Sequence, residues 1–568
     1  MEFRMVGNPF VTYLDKFNVL SPNHSKIYDE YSHDTELEQS FEFTISTKIE
    51  NHLKNIFSNN PHSVILTGNA GDGKTRLCRL IYDEFAEDRL ENWPESGIVT
   101  VSYEKGTIKI VKDLSELKEE VMYNILLELQ NYVYNQHTDR TFFLIAANEG
   151  KLSKTLSRYN DLDFLRKQIM SRFDSHENND NQLSVINLLD VTSSVYVEKV
   201  LREWNKEEYW RACEHCEKKT HCIIYLNHRR TSQPNVQQKI VDQYRLLDYL
   251  ETHITLREML IHMSYLLTGG YVCKDILEAD HRHIGEQSKK VYYQNFYGVG
   301  IGEEAFSEMK ALKIFRTLDP GTYSYSAIDD FIVNGDINGD KEIEELYNRV
   351  FDNDLDMEFD YFNKTIKFYR EHSQEIDSSF LDDWMPRLRR KLYFELGGQK
   401  YFNTLKLLPF EYLEQYISLF DNKNAQTNIR KDLVNGLNRA FSRRFIQKFK
   451  SSFQLKVSNE TLMIYGSFDK RRIDFSQELE REDLDRLPSK FFLIVENEVK
   501  LKINLSVFEY LMRLNSGGTH NILSQEVEIL LNTFRNELIQ ISEPDEEVLE
   551  IYRLDRENGV YVEHELDE

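Results

Sequence analysis

Residues 64–75 read VILTGNAGDGKT, an apolar strand pattern that runs into Gly68-x-x-x-x-Gly73-Lys74-Thr75. This is the complete P-loop pattern in its usual setting, because residues 76–85 continue with a helical pattern. Glycines let successive backbone N–H groups wrap around phosphate oxygens, and the N-terminus of a helix adds partial positive charge. The segment therefore predicts a site for a nucleoside triphosphate.

The loop itself is expected to hold the phosphates of ATP. The Lys74 ammonium can reach the β- and γ-phosphates, and the Thr75 hydroxyl can ligate Mg²⁺. The residues expected to contact the nucleotide are Gly68, Asn69, Ala70, Gly71, Asp72, Gly73, Lys74, Thr75 and Arg76.

Hydrolysis needs a further acid, and two strand ends offer one. Asp113 follows the strand pattern TIKIV and is favoured as the acid on the Mg²⁺ side. Asn148 and Glu149 follow the more apolar strand pattern TFFLIAA, at the end of a strand where α/β proteins bind ligands. We expect Asn148 to sense the γ-phosphate and position water, and Glu149 to activate that water. Two alternatives stay open: Glu149 is the metal-side acid, or Asp113 only caps a helix that begins at Leu114.

Arginines could add charge to this site. Arg257, in the helical pattern THITLREML, could reach phosphate from a lid, although a lone arginine on a helix is more often a surface residue. An oligomer of the AAA+ type would need an arginine from a neighbouring copy, and the sequence does not select between Arg166 and Arg172 for that role.

Cysteines are clustered in one place. Three of the five, Cys213, Cys216 and Cys222, fall within ten residues. The C-x2-C spacing allows two thiolates to meet one tetrahedral Zn²⁺ ion. The candidates for a fourth ligand are His215, His221, His228 and Cys273. We favour Cys273, which would complete a structural Cys₄ site; buried thiols without a metal are the alternative.

Length and composition set the class of protein. The 568 residues carry a formal net charge of −25 and 40% apolar residues, and the length predicts roughly three or four domains. This charge excludes a protein that coats nucleic acid through its bulk charge. No apolar run reaches the length of a membrane helix, and five cysteines cannot form a disulfide framework. A soluble, cytoplasmic protein is expected.

The alternation of strand and helix patterns from residue 61 onward predicts an α/β core with a largely parallel sheet. The expected strands are 63–66, 97–102, 107–111, 141–147 and 184–189, with a hairpin turn near residues 104–106. The full expectation is a P-loop NTPase core of the AAA+ or STAND type with a Cys-rich insertion and a helical lid, followed by a mainly helical region and a small α+β C-terminal region. The expected regions are 1–60 (helical), 61–230 (core with the insertion at its end), 231–285 (lid), 286–455 (mainly helical) and 456–568 (α+β with an acidic tail).

Local basic clusters stand out against the negative total. They lie at residues 386–391 (PRLRRK), 439–450 (RAFSRRFIQKFK) and 470–472 (KRR). Such clusters could contact nucleic-acid phosphates, with aromatic residues stacking on bases. They could equally pack their apolar side and leave the charge in water, so direct DNA contact and contact through a partner protein both stay open.

Several segments together resemble the DptF family, the ATPase component of phosphorothioation-dependent (Dnd/Dpt) bacterial restriction systems. They are the loop GNAGDGKT, the strand end IAANEG, the C-x2-C-x5-C spacing and the segment LLTGGYVC. The resemblance covers mainly residues 60–280, and NFYGVGIG, LDPGTYSYSAIDDFI and LVNGLNRAFS are also similar.

The resemblance implies an antiphage role. Such a subunit would act with DptG- and DptH-like subunits to restrict DNA that lacks the sulfur-for-oxygen modification. Cleavage would come from a partner, because no PD…(D/E)xK nuclease pattern stands out in the sequence. The alternative is a regulatory or scaffold protein that binds nucleotide with little turnover. A self-sufficient helicase or nuclease is a weaker third interpretation, and a homo-oligomer stays open.

Overall fold

The computed structural model describes residues 7–21, 24, 46–90, 92–135, 140–175, 182–335, 339–352, 359–396, 402–421, 423–442, 461–463, 472–518, 525–541 and 551–564. The chain divides into two compact units. Unit 1 comprises residues 1–245, 253–407 and 481–486, and unit 2 comprises residues 246–252, 408–480 and 487–568. No helix in the described ranges is long and apolar enough to span a membrane.

Unit 1 contains a five-stranded sheet. Its strands are β1 (Ser63–Thr67), β2 (Ile98–Tyr103), β3 (Gly106–Val111), β4 (Thr141–Ala147) and β5 (Leu183–Asn187). The order across the sheet is β2-β3-β4-β1-β5. β1 is parallel to β4 and β5, β3 is parallel to β4, and β2 joins β3 as an antiparallel hairpin. The predicted α/β core with a largely parallel sheet is confirmed.

The helices of unit 1 follow in chain order. They are α1 (Pro9–Asp15), α2 (Lys48–Asn59), α3 (Lys74–Phe85), α4 (Glu119–Asn135), α5 (Glu149–Arg158), α6 (Asp163–Ser175), α7 (Ser193–Trp204), α8 (Glu207–Glu214), α9 (Ile223–Thr231), α10 (Pro234–Tyr249), α11 (Leu256–Thr268), α12 (Cys273–Leu277), α13 (His281–Ser288), α14 (Tyr292–Asn295), α15 (Glu303–Glu308), α16 (Lys310–Phe315), α17 (Ser326–Asn334), α18 (Lys341–Tyr347), α19 (Phe359–His372) and α20 (Met385–Glu395). The last turn of α10 belongs to unit 2.

Both faces of the sheet are covered. Side chains alternate along a strand, so Val64 and Leu66 of β1 pack against α2 and α3, while Ile65 packs on the opposite face with residues of α4, α5 and α6. β5 is shorter than the apolar pattern predicts. It ends at Asn187, whose Oδ1 accepts a hydrogen bond from the Leu189 N–H at 3.1 Å and caps a 3₁₀ turn at Leu188–Asp190.

Unit 2 combines helices with two small antiparallel sheets. Its remaining elements are α21 (Leu413–Asp421), α22 (Lys423–Ser442), β6 (Thr461–Met463), β7 (Ile473–Gln477), β8 (Phe491–Val495), β9 (Val499–Ile503), α23 (Leu505–Asn515), α24 (Gln525–Ile541), β10 (Ile551–Asp555) and β11 (Val560–His564). β7, β8 and β9 form one sheet, and β6, β10 and β11 form the other.

Residues 481–486 are far along the chain but belong to unit 1. Leu484 is fully buried in the core cluster beside α2 and α3. The Asp485 carboxylate accepts hydrogen bonds from the Lys48 N–H at 2.8 Å and from Lys199 Nζ at 3.0 Å. The Asp485 carbonyl accepts one from the Thr192 N–H at 2.9 Å. This short segment therefore completes the wall of unit 1 next to the start of α2.

The basic cluster at 386–391 is part of the interior of unit 1. Its ion pairs join Arg389 to Asp329, Arg390 to Asp319 and Lys391 to Glu395. Lys391 is fully buried and Arg390 nearly so. Of the two interpretations offered by the sequence, internal packing is favoured for this cluster, with the charges paired and not solvated. Residues 443–450 and 470–471 of the other clusters lie outside the described residues.

A buried histidine makes the stability of unit 1 depend on pH. His262 of α11 is fully buried; its Nδ1 accepts from the Tyr244 hydroxyl at 2.8 Å, and its Nε2–H donates to the Phe296 carbonyl at 2.9 Å. Burial lowers the His262 pKa from 6.5 to about 4, although the Phe296 carbonyl opposes the change.

We expect this histidine to destabilise unit 1 in mild acid. Because the unfolded chain takes up the proton first, its contribution is complete above pH 6.5 and falls between pH 6.5 and 4, by about 3 kcal/mol in all. The measurement is urea unfolding at several pH values for the wild type and His262→Gln, whose amide can keep both hydrogen bonds. The wild type should lose more stability over this range, and equal pH dependence in the two proteins would contradict the prediction.

Candidate functional site

Polar residues collect at one edge of the unit 1 sheet. β1, β3, β4 and β5 all run in the same direction, so their carboxyl ends meet at that edge. The loop that begins at Gly68 follows β1, and Asp113 lies two residues beyond β3. Asn148 follows β4 and Asn187 ends β5. Ligands bind at this edge in open α/β sheets, next to the strand where the chain order changes direction.

The loop after β1 has the backbone of a phosphate cradle. Gly68, Gly71 and Gly73 have φ angles of 147°, 99° and 85°. A Cβ atom at Gly71 would lie 3.1 Å from the Cβ of Arg257, so a side chain there would meet the start of α11. Gly73 is the N-cap of α3, and no side chain caps this helix.

Backbone donors of the loop are open. The N–H groups of Gly71, Gly73, Lys74 and Thr75 have no hydrogen-bond acceptor among the described residues. They lie at and just before the positive end of α3, a helix of 12 residues. Unpaired N–H groups at a helix N-terminus form an anion site, and the four donors here suit a chain of phosphates.

Lys74 lies within this cradle. Its side chain is 8% exposed, and Nζ donates to the carbonyls of Gly68 at 2.9 Å and Asn69 at 2.7 Å. Burial lowers the Lys74 pKa, and the carboxylates of Asp72 and Asp113 oppose that change. The ammonium is thus held by two carbonyls of its own loop, bonds that a phosphate could replace.

His253 holds the Asp72 carboxylate in place, a contact that the sequence did not predict. Asp72 Oδ2 accepts from the Asn69 N–H at 2.6 Å, and its Oδ1 lies 2.8 Å from Nε2 of His253. In the first turn of α11, the Arg257 N–H donates to the Gly71 carbonyl at 3.2 Å. The start of α11 and the residues just before it therefore hold the loop. The pattern THITLREML hinted at this contact only through Arg257.

Asp113 and Asn148 both act as caps. Asp113 Oδ1 accepts from the Ser115 N–H at 2.7 Å and caps the 3₁₀ turn Leu114–Glu116. Asn148 Oδ1 accepts from the Lys151 N–H at 3.2 Å and caps α5. The capping interpretation of Asp113 is thus confirmed as geometry. The negative charge of Asp113 also acts on Lys74, where it opposes the effect of burial on the Lys74 pKa.

Glu149 has a partner from the neighbouring strand end. Its Oε2 accepts from Asn187 Nδ2 at 3.3 Å, and its side chain is half-buried. Asn187 was not singled out in the sequence, because it lies inside the predicted strand 184–189, whereas the observed strand ends at this residue. The pair fixes a carboxylate at the sheet edge where the loop begins.

A cavity of about 130 Å³ opens next to the cradle. Most of its wall is apolar, and its lining residues are Thr47, Ile49, Asp72, Gly73, Arg76, Leu77, Leu188, Tyr196, Leu256 and Leu260. Arg76, expected to contact nucleotide, reaches this wall while its Nη1 binds Glu50 Oε1 at 2.7 Å. Small-molecule sites are typically apolar clefts with a few polar groups, and this cavity could take a flat ring joined to the phosphates.

The other predicted residues have structural partners. Arg166 pairs with Asp163 on the same helix, and Arg172 Nη1 donates to the Gln168 carbonyl at 2.8 Å. Cys78 of α3 is buried in the core. Among the residues that the structure describes, no group of three or more His, Cys, Asp or Glu side chains stands at the spacing of a formed metal site.

Comparison with known proteins adds no identification: no family model, curated protein or solved structure matches this chain.

Proposed function

We propose that unit 1 binds ATP with Mg²⁺ and hydrolyses it. The observation that carries this proposal is the cradle itself. Four backbone N–H groups without acceptors among the described residues lie in the loop that also holds the Lys74 ammonium, at the N-terminus of α3. Such a cluster of donors needs an anion, and a triphosphate supplies several phosphate oxygens in a row.

The residues around the cradle suit the rest of the nucleotide. Thr75 and Asp113 would hold Mg²⁺, which supplies charge neutralisation to the phosphates when bound. The apolar cavity would take the base, with Tyr196 and Leu256 on its wall. Glu149 would accept the proton of the water that attacks the γ-phosphorus, with Asn187 holding the carboxylate in place.

We propose a wider role from the resemblance to the DptF family. In this role, unit 1 supplies ATP turnover to an antiphage restriction complex with DptG- and DptH-like subunits, which attacks DNA that lacks phosphorothioates. The loop, the strand end after β4 and the cysteine spacing support this role. Contact with DNA through a partner agrees with the buried state of the 386–391 cluster.

The second candidate is a nucleotide-binding scaffold with little turnover. The capping bonds favour the scaffold, because Asp113 and Asn148 each use a side-chain oxygen to accept a backbone N–H. A tightly held nucleotide would then order the loop and α11 without being consumed.

Three variants separate these candidates. Under the ATPase proposal, Glu149→Gln should lower the turnover rate by about 100-fold or more, since it removes a general base, and should leave ATP affinity within about threefold. Asp113→Asn keeps a capping oxygen but removes the charge, whereas Asp113→Ala removes both. If the Asp113 charge serves turnover, both variants are slow. If only the cap matters, Asp113→Asn keeps wild-type turnover, and Asp113 is then not part of the proposed site.

The direct experiment is phosphate release from ATP by the purified chain, with and without duplex DNA, and with Lys74→Ala as the blank. Turnover that disappears in the blank supports the ATPase. Stimulation by DNA would place a DNA contact on this chain. Bound nucleotide after purification, with no release of phosphate even when partner subunits are added, would support the scaffold and reject the ATPase.

A further inference from the structure

The four clustered cysteines come together from two distant parts of unit 1. Cys213 lies at the end of α8 and Cys216 in the turn that follows, where the Cys216 N–H donates to the Cys213 carbonyl at 3.2 Å. Cys222 precedes α9, and Cys273 begins α12. The sequence alone left the position of Cys273 open, because many residues separate it from the other three.

Asn8 shows that the two parts meet. Its backbone N–H donates to Cys273 Sγ at 3.2 Å, and its side-chain Nδ2 donates to Cys213 Sγ at the same distance. Gly7 allows this approach, because its φ is 127° and a Cβ there would lie only 2.7 Å from the Cβ of Cys273. One residue thus bridges two sulfurs that are remote in sequence.

The remaining two thiols lie close enough to this pair to interact with it electrostatically. The sulfur of Cys216 interacts with those of Cys213 and Cys273, and the sulfur of Cys222 interacts with the same two. Cys222 Sγ also accepts from the Tyr225 N–H at 3.5 Å. Three of the four sulfurs therefore accept N–H hydrogen bonds, an arrangement that stabilises thiolates.

The histidines near the cluster either have other hydrogen-bond partners or are exposed to solvent. His228 is buried, stacked on Trp210 at 4.2 Å, and its Nδ1 bonds to Asn205 Oδ1 at 3.0 Å. His215 and His221 are exposed, and His221 Nδ1 contacts Thr220 Oγ1. The geometry therefore favours Cys273 as the fourth ligand.

We propose that Cys213, Cys216, Cys222 and Cys273 bind one structural Zn²⁺ ion in a tetrahedral Cys₄ site. Binding would place the four sulfurs about 2.3 Å from one ion. With four protein ligands the site would be closed and have no catalytic position. It would fasten α12 to the segment between α8 and α9, with Asn8 anchoring α1 on the same cluster. This proposal stands independently of the nucleotide site.

Metal analysis of the purified full chain tests the proposal. We expect about one zinc ion per chain in the wild type, and less than about a tenth of that in Cys216→Ser and Cys273→Ser. Cys78→Ala is the matched control, because Cys78 is a buried thiol outside the cluster and its loss should leave the zinc content unchanged.

Measurements on the wild type guard against variants that fail to fold. Titration with a mercurial thiol reagent should release zinc to a chromogenic chelator, and cobalt exchanged into the site should show the intense thiolate-to-metal absorption of a Cys₄ ligand set. Wild type without zinc and with the four clustered thiols reactive in the native state would overturn the proposal. So would iron with sulfide, a disulfide within the cluster, or full zinc content in a folded Cys273→Ser.

Asn8 supplies a second test of the same geometry. Asn8→Asp keeps an oxygen for the Phe10 N–H that caps α1 but places a carboxylate where Nδ2 now donates to Cys213. Second-layer changes of this kind cost about 10–100-fold in metal affinity. We therefore expect the Asn8→Asp variant to lose zinc to a competing chelator at least about tenfold more readily than the wild type does. Equal zinc retention in the two proteins would contradict the role of Asn8.

Discussion

Lys74→Ala is expected to weaken ATP binding by about 100-fold or more. The variant removes the only side-chain ammonium that hydrogen-bonds to the carbonyls of the cradle in the described structure. A charge-assisted hydrogen bond to phosphate contributes about 1.5–3 kcal/mol, and more than one is lost here. Titration of a fluorescent ATP analogue, or calorimetry with ATP and Mg²⁺, measures the change.

The control for this variant is Lys167→Ala. Lys167 forms a surface pair with Asp163 in the same unit, and its side chain is 74% exposed. Its removal should leave both ATP affinity and melting temperature unchanged. If Lys74→Ala and the wild type bind ATP equally well and both are folded, the cradle is not the nucleotide site.

Glu395→Ala is expected to lower the free energy of unfolding of unit 1 by about 3–5 kcal/mol, the usual cost of removing one member of a buried ion pair. Glu395 Oε2 accepts from Lys391 Nζ at 2.6 Å, and Oε1 accepts from the Tyr292 hydroxyl at 3.0 Å. Arg230 lies 3.6 Å away. Both cations are almost fully buried, so the loss of the carboxylate leaves positive charge in an apolar interior.

The matched control is Glu198→Ala. Glu198 and Arg202 form a pair at 2.8 Å on α7, but both side chains are more than half exposed. Surface pairs of this kind contribute about 0–1 kcal/mol. Urea unfolding followed by a probe in unit 1 compares the two variants. A Glu395→Ala protein as stable as Glu198→Ala would show that the buried network contributes little.

Local patterns made the strand ends predictable. Short apolar runs predicted β1, β3 and β4 correctly, and parallel pairing then placed Asp113 and Asn148 at the edge that carries Gly68. The glycine spacing predicted the tight loop because few other residues adopt its positive φ angles. These features depend on residues close together in the chain.

The remaining contacts depend on partners far away in the chain. His253 reaches Asp72 across 181 positions, and Arg390 meets Asp319 across 71. A single sequence shows that such residues are polar, but not which of them will meet. The same limit explains the 386–391 cluster: its arginines looked available to DNA because the partners of Arg389 and Arg390 lie 60 and 71 positions earlier in the chain.

The late position of residues 481–486 has a consequence for synthesis on the ribosome. The rest of unit 1 is translated by residue 407, and the following residues 408–480 take roughly 4–15 s at about 5–20 residues per second. Throughout that interval the core residues that Leu484 will cover are exposed to solvent. The hydrogen bonds that Asp485 will accept from the N–H groups of Lys48 and Thr192 cannot yet form. The nascent chain should therefore be a client of chaperones until residues 481–486 have been translated.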